Sequence, residues 1–463
     1  MDDVLFIDTL SIGNFFTGAG ASLKQSLARI GVNLHVVNIV DENFPAELTR
    51  LLNERGYAFA LSYIGVGKGC MSGEQSLWDL VPLPFITIYG DSPCYYFDQH
   101  RDFGNWTVSL YVFEEHLQFR RRFSLLRGLD GIAPTLPYNA APEQPIDLKA
   151  KAGGKLIFLK NGNDPRKLRE FWRHSLPPAV CEALMELADA MASDLDQCSH
   201  RDIVAQVCAY LRQAGLYDGA EKLMLIMVAQ LDDYLRRVKS ALVGDLLLDY
   251  PAEIHGYNWE HLPASNRCGA LIAEADYGKS ETLIRNALAT FDMSPNTSMG
   301  VHDRIARAAS HQTLCVTNAG QDLGCRFSDA ENLNYRFNEE SIRTRIEWML
   351  AHRKDVIDLG MRFSRDFSTV HHIENAYAEF KRIAECVRQQ NSTAPLENSP
   401  SHFMWPPASP TKTVAHRPIF AEDMTQLSDR LGRVEQAVSA RGLAEAISGE
   451  KRAGLLQRML FGK

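Results

Sequence analysis

The chain has 463 residues, too many for one ordinary core, so two or three domains are expected. With 45% hydrophobic and 23% charged residues it has the composition of a globular protein. Its net charge of -8 argues against wholesale binding to nucleic acid, whose phosphates demand a basic surface.

The chain opens Met1-Asp2-Asp3-Val4, with acids where a signal peptide carries bases. No stretch reaches the ~20 apolar residues of a membrane span, so a cytoplasmic location is expected. Val4–Thr9 is a β-prone apolar run, and Leu23, Leu27 and Ile30 recur at helix spacing after it. Leu34–Val40 is a second strand, making a βαβ unit and so a parallel sheet. The alternation continues with a helix over Pro45–Arg55 and strands over Ala58–Val66, Phe85–Tyr89 and Thr107–Phe113. A helix with a basic face then spans Glu114–Leu126.

Ligands of such sheets bind beyond the carboxyl ends of the strands, which singles out the loops Ser11–Gly20, Gly65–Ser72 and Gly90–Cys94. Gly18 and Gly20 are expected at the mouth of the first helix, where free N–H groups hold an anion or a sugar oxygen; a plain turn explains them equally. They lack the GxGxxG spacing of a dinucleotide site. Asp91, following the strand Phe85–Tyr89, is placed to accept a proton from an acceptor hydroxyl; the alternative is a turn initiator before Pro93.

Residues 140–154, rich in Ala, Pro, Gly and Lys, divide a first domain (1–150) from a second (151–388). The second starts with the strand Lys155–Lys160 and a helix from Pro165 capped by Asn163 or Asp164. Residues 177–245 are helical in pattern throughout and form an inserted subdomain, in which Asp232-Asp233 has the look of a solvated face. Strand pieces follow at Leu246–Leu248, Ala252–His255 and within Ala264–Ala273. Tyr277 leads into a helix, Leu288–Met293 is a strand, and Thr313–Thr317 is the next one.

Between those two strands lies Ser294-Pro295-Asn296-Thr297-Ser298-Met299-Gly300-Val301-His302-Asp303-Arg304. It gathers hydroxyls, a glycine, a histidine and an arginine where a helix opens. The helix dipole and the guanidinium fork both suit a diphosphate. An ordinary helix capped near Ser298 or Asp303 has the same spacing.

Tyr277-Gly278, Leu288–Met293, Ser294-Pro295, Gly300–Arg304 and Thr313–Thr317 resemble the donor domain of CgeB-like glycosyltransferases. The resemblance covers Val4–Val387 and is strongest over Tyr277–Phe337. It implies an α/β fold of GT-B architecture, with two facing Rossmann-like domains, and transfer of a sugar from a nucleotide sugar to an acceptor hydroxyl on a glycan, lipid or protein. It implies no metal and no cofactor beyond the co-substrate. Arg304 and His302 would hold the diphosphate, with Ser294, Asn296, Gly300 and Tyr277 around the donor and Asp91 and His302 as the catalytic pair. The last long helix, Ser364–Val387, would cross back to the first domain. Two positions depart from the family: Arg307 stands where a glutamate binds ribose, and Gln312 replaces a glycine. A degenerate scaffold of the same fold is therefore the alternative.

The nine cysteines form no CxxC pair and no zinc spacing, and no metal site is expected. Residues 389–423 have the composition of a disordered linker, and 424–463 are helical in pattern. Leu427, Leu431, Val434 and Val438 suit a coiled coil or docking helix, and the basic end suits oligomerisation or the inner face of a membrane.

Overall fold

In a computed structural model the chain is described over residues 2–8, 14–101, 103–126, 128–136, 146–216, 221–274, 276–318 and 334–391, excepting the side chains at 14–19, 124 and 277. The proposed linker and tail helix fall outside these residues, apart from the end of the last helix.

The first domain begins β1 (Asp3–Asp8), α1 (Asn14–Arg29), β2 (Asn33–Asn38), α2 (Phe44–Glu54) and β3 (Ala60–Tyr63). A hairpin of β4 (Met71–Ser72) and β5 (Gln75–Ser76), a short α3 (Leu77–Leu80), β6 (Phe85–Tyr89), β7 (Thr107–Tyr111), α4 (Glu114–Arg120) and β8 (Leu129–Ile132) complete it. Six strands form one parallel sheet in the order β2-β1-β3-β6-β7-β8. Helices cover both faces, so β6 and β7 are buried along their whole length and show no period-two alternation.

The second domain contains α5 (Leu148–Gly153), β9 (Leu156–Leu159), α6 (Pro165–Ser175), α7 (Pro178–Ala192), α8 (His200–Gln213) and α9 (Glu221–Leu247). It continues with β10 (Ala252–His255), β11 (Ala270–Ile272), α10 (Tyr277–Asn286), β12 (Ala289–Phe291), α11 (Asp303–Ser310) and β13 (Leu314–Val316). Its five strands are parallel in the order β11-β10-β9-β12-β13. The run Leu246–Leu248, expected as strand, is the end of α9 and its following turn; a leucine-rich run this short is ambiguous by periodicity.

Three large apolar cores result among the described residues, beside a small cluster of Tyr89, Tyr111 and Leu117. One fills each α/β domain, and a third joins α6–α9 to Phe119, Phe123 and Cys94 of the first domain. The helical insertion is therefore wedged against both domains.

After α12 (Glu339–Ala351), the expected single crossing helix is two helices, α13 (Arg353–Val370) and α14 (Ile373–Asn391). The break at His371, with ψ near 77°, turns the chain between two cores. Phe363 and Phe367 pack in the second domain, whereas Tyr377, Phe380 and Val387 pack in the first. The Tyr377 hydroxyl donates to Asp2 Oδ2 at 2.7 Å, fastening α14 to the first domain. Two facing Rossmann-like domains with a returning terminal helix make this the GT-B arrangement.

Candidate active site between the domains

Strand order reverses between β1 and β3 in one sheet and between β9 and β12 in the other. These reversals mark the crevices where α/β sheets bind ligands. Between the domains lies a cavity of about 340 Å³. Its first-domain wall comes from strand ends: Tyr63-Ile64 after β3, Ile88 and Gly90-Asp91 at β6, Val112-Phe113 after β7, and Ala133–Leu136 after β8. Its second-domain wall is Lys160 after β9, Met293 and Pro295 after β12, and Val301–Arg304 with Ala306 at the start of α11. Arg236 of α9 completes the lining.

Asp292, fully buried at the end of β12, organises the second-domain wall. Its Oδ1 accepts from Arg304 Nη1 at 2.8 Å and lies 3.3 Å from His302 Nδ1. Thr317 Oγ1 donates to its Oδ2 at 3.2 Å, and the Tyr335 hydroxyl donates to its carbonyl at 2.8 Å. His302 Nδ1 is also 3.0 Å from Asp303 Oδ1. The Arg304 N–H approaches the same Nδ1 at 3.4 Å, so the ring caps the start of α11. Burial pushes the Asp303 carboxyl up, but the charge and hydrogen bond of His302, aided by Arg304 and Arg307, hold it well below the usual range.

Three basic side chains converge here from three elements: Lys160, Arg236 and Arg304. Burial, then the charges of Arg304 and Arg236, push the Lys160 ammonium down to about 7. For Arg236, burial acts to lower the value, but Asp232, with Tyr95 and Asp91, outweighs it and holds the guanidinium charged. Arg236 Nε lies 2.8 Å from Asp232 Oδ2, while its Nη2 has no hydrogen-bond partner among the described residues. Arg236 and Arg304 are each paired with a carboxylate, whereas both act to disfavour the charged form of Lys160.

Asp232 is not on a solvated face. It is fully buried, because α9 lies between the domains. It accepts from the Tyr95 hydroxyl of the first domain and from Asn296 Nδ2 of the second, the latter at 3.0 Å.

Of the residues singled out in the sequence, Asp91, His302 and Arg304 line the cavity. Asn296 is instead a bolt to the insertion: its Nδ2 donates to Asp232 and its Oδ1 accepts from Lys239 Nζ at 2.9 Å. Ser294 is buried beneath the wall, and its N–H donates to Asn318 Oδ1 at 2.9 Å. Gly300, at φ 138°, is where the second domain touches the first; a Cβ there would lie 2.4 Å from Val112 O. Beside it, Glu115 Oε1 accepts from the Ser298 N–H and hydroxyl, both at 2.8 Å, and from the Met299 N–H at 3.2 Å. Tyr277 opens α10, and its side chain is not among those described.

Gly18 and Gly20 are not at a helix mouth. Helix α1 starts at Asn14, so their N–H groups fall inside it rather than in its free first turn. Gly20 serves packing: a Cβ there would sit 3.4 Å from Asp8 Oδ2 and from the Phe6 ring of β1.

Arg307, the departure at the expected glutamate, is turned toward α10 and is absent from the cavity lining. Its Nε donates to Glu281 Oε1 at 2.7 Å, and Glu281 also meets His311 Nε2 at 2.5 Å. Gln312 adopts φ 52°, the left-handed conformation that suits glycine.

Lys160 and Arg236 escape a motif search. Lys160 was findable as the residue closing the first strand of the second sheet, beside the switch point. Nothing in the pattern of α9 sets Arg236 apart from Arg237. Among the described residues no group of three or more His, Cys, Asp and Glu could hold a metal, and no helix is long and apolar enough to cross a membrane.

No protein-family model matches the chain, and no curated protein matches it. Solved structures similar to it include sucrose-phosphate synthase from Thermosynechococcus elongatus, at 9% identity and TM-score 0.46 over 85% of this chain and 100% of that one. An alpha-glucosyltransferase in complex with UDP and DNA aligns at 10% identity and TM-score 0.47, over 83% of this chain and 99% of that one. Spinosyn rhamnosyltransferase aligns at 10% identity and TM-score 0.35, over 83% and 100%. Identities this low carry no residue's role across.

Proposed function

We propose that the chain is a nucleotide-sugar-dependent glycosyltransferase, related to the CgeB-like group, that moves a sugar onto an acceptor hydroxyl. The observation that carries this reading is the convergence of Lys160, Arg236 and Arg304 on one cavity, opposite the carboxylate of Asp91. In glycosyl transfer the acceptor oxygen bonds to the anomeric carbon. The bond from that carbon to the diphosphate oxygen breaks, and its electron pair leaves with the nucleoside diphosphate. Cations preorganised around the leaving group stabilise that charge as it develops. Asp91 takes the acceptor proton. Asp292 and Asp303 hold His302 and Arg304 in place beside the diphosphate.

The run Gly300–Arg304, which carries the resemblance to the CgeB-like group, contributes four residues to the cavity wall, and this supports the kinship. Arg307, the departure that favours a non-catalytic scaffold, leaves the three cations undisturbed because it pairs with Glu281. The test is release of nucleoside diphosphate from a panel of nucleotide sugars. Release by the wild type that survives metal chelation and is lost in Arg304→Ala is the expected result. A folded protein that releases none from any donor would exclude the reading.

A further inference from the structure

We propose that the acceptor presents its hydroxyl on an apolar, aliphatic or aromatic body rather than on a polysaccharide, and that Ile64 helps to set that preference. This rests on the transferase reading of the cleft. The cavity is divided by polarity. Among the described residues, every cation that lines it belongs to the second domain, including its insertion. The facing wall is mostly hydrocarbon, built from Ile64, Ile88, Val112, Pro134 and Leu136; among the described residues Tyr63 and Thr135 add two hydroxyls to it, and Asp91 is its one charged side chain. A glycan buried against these branched side chains would leave hydroxyls unpaired, which is costly, whereas an apolar body gains from the same contact.

Ile64 supplies the independent observation. It adopts φ 50°. The other non-glycine residues at positive φ among those described are Asn258, Asn266, Asn296 and Gln312, so Ile64 is the one β-branched case. Its surroundings enforce the conformation. The Ile64 N–H donates to Ile88 O, and the next residue's N–H donates to Thr87 Oγ1, both at 2.8 Å. Glycine or asparagine at position 64 would fold with less strain. A branched apolar residue held there at a conformational cost, on the lining of the cavity, is the pattern of a ligand contact.

The experiment titrates the full chain calorimetrically with 2-naphthol, maltotriose and uridine diphosphate, in the wild type, Ile64→Gly and Leu136→Ser. Saturable naphthol binding with no maltotriose binding is expected. Ile64→Gly is expected to melt no lower than the wild type while its naphthol affinity falls on the order of tenfold relative to its nucleotide affinity. Leu136→Ser lowers the same ratio without touching the strained turn. Absence of naphthol binding, maltotriose binding as tight as naphthol, or an unchanged ratio in both variants overturns the proposal. Failure of the wild type to bind uridine diphosphate counts against the transferase reading separately; the naphthol affinities of the two variants are then compared directly with that of the wild type, and their equality overturns the proposal.

Discussion

Arg304 Nη1 and Asp292 Oδ1 meet at 2.8 Å on the second-domain wall of the cleft. One arm of the guanidinium is spent on orientation, and the remaining donors stay available to the cavity. A lysine has no such division of labour, because its single ammonium can hold Asp292 or reach a phosphate. Arg304→Lys is therefore expected to weaken nucleoside diphosphate binding by about tenfold, at nearly unchanged melting temperature. Isothermal titration calorimetry beside a thermal melt measures both. Full retention of affinity would show that Arg304 serves Asp292 alone.

Lys160 sets a pH dependence. Burial and the neighbouring arginines hold it near 7 in the folded chain, against an ordinary value of 10.5. Between those values the unfolded chain binds more protons, so the contribution of Lys160 to stability rises with pH across that window. An anion favours the protonated form, so nucleoside diphosphate affinity is expected to fall as pH rises above about 7, with proton uptake on binding. Titrations in buffers of different ionisation enthalpy report that uptake. Lys160→Met should flatten the profile and abolish the uptake; a wild-type profile flat from pH 6.5 to 8.5 contradicts the assignment.

Asp232 ties Tyr95, Arg236 and Asn296 together from within the insertion. Asp232→Ala leaves the Arg236 charge buried without its partner, at a cost of about 3 kcal/mol. Denaturant unfolding should register it. A loss below about 0.5 kcal/mol, the range of ordinary surface substitutions, would show that the network is not structural.

The contact between Glu115 and the Ser298–Met299 backbone closes the cleft, and Gly300 fits because it lacks a side chain. Gly300→Ala places a Cβ against Val112 O, and Glu115→Ala removes three hydrogen bonds. Both are expected to open the domains, which small-angle scattering detects as a larger radius of gyration. Two variants as compact as the wild type would mean that closure is held elsewhere.

Gln312 sits at φ 52°, a left-handed conformation that suits glycine. Gln312→Gly is expected to stabilise the fold by about 0.5–1 kcal/mol, by relieving the left-handed strain. A lower melting temperature for this variant would show that the Gln312 side chain contributes more than its backbone costs.

The alternation of strands and helices was legible because the apolar runs are separated by clear turn residues. The Arg304 wall was legible because a loop of small polar residues opens a helix after a strand. Other features are decided by tertiary contacts that no local pattern carries. Asp232 looks like a solvated charge until α9 is seen between two domains. Asn296 looks like a sugar contact until Lys239 and Asp232 are found on its amide. Gly18 and Gly20 suggest a loop, yet α1 runs through them, and the packing of Gly20 against β1 outweighs the low helix propensity of glycine.

The most direct test of the anionic-donor site is the affinity of the full chain for nucleoside diphosphates in the wild type, Lys160→Ala and Arg304→Ala. The cleft geometry predicts that one nucleoside diphosphate binds the wild type. Each substitution should then weaken it by roughly tenfold or more, the worth of one charge-assisted hydrogen bond. Equal affinity in all three proteins, or no binding to a folded wild type, would contradict the assignment of this cleft to a diphosphate-bearing donor.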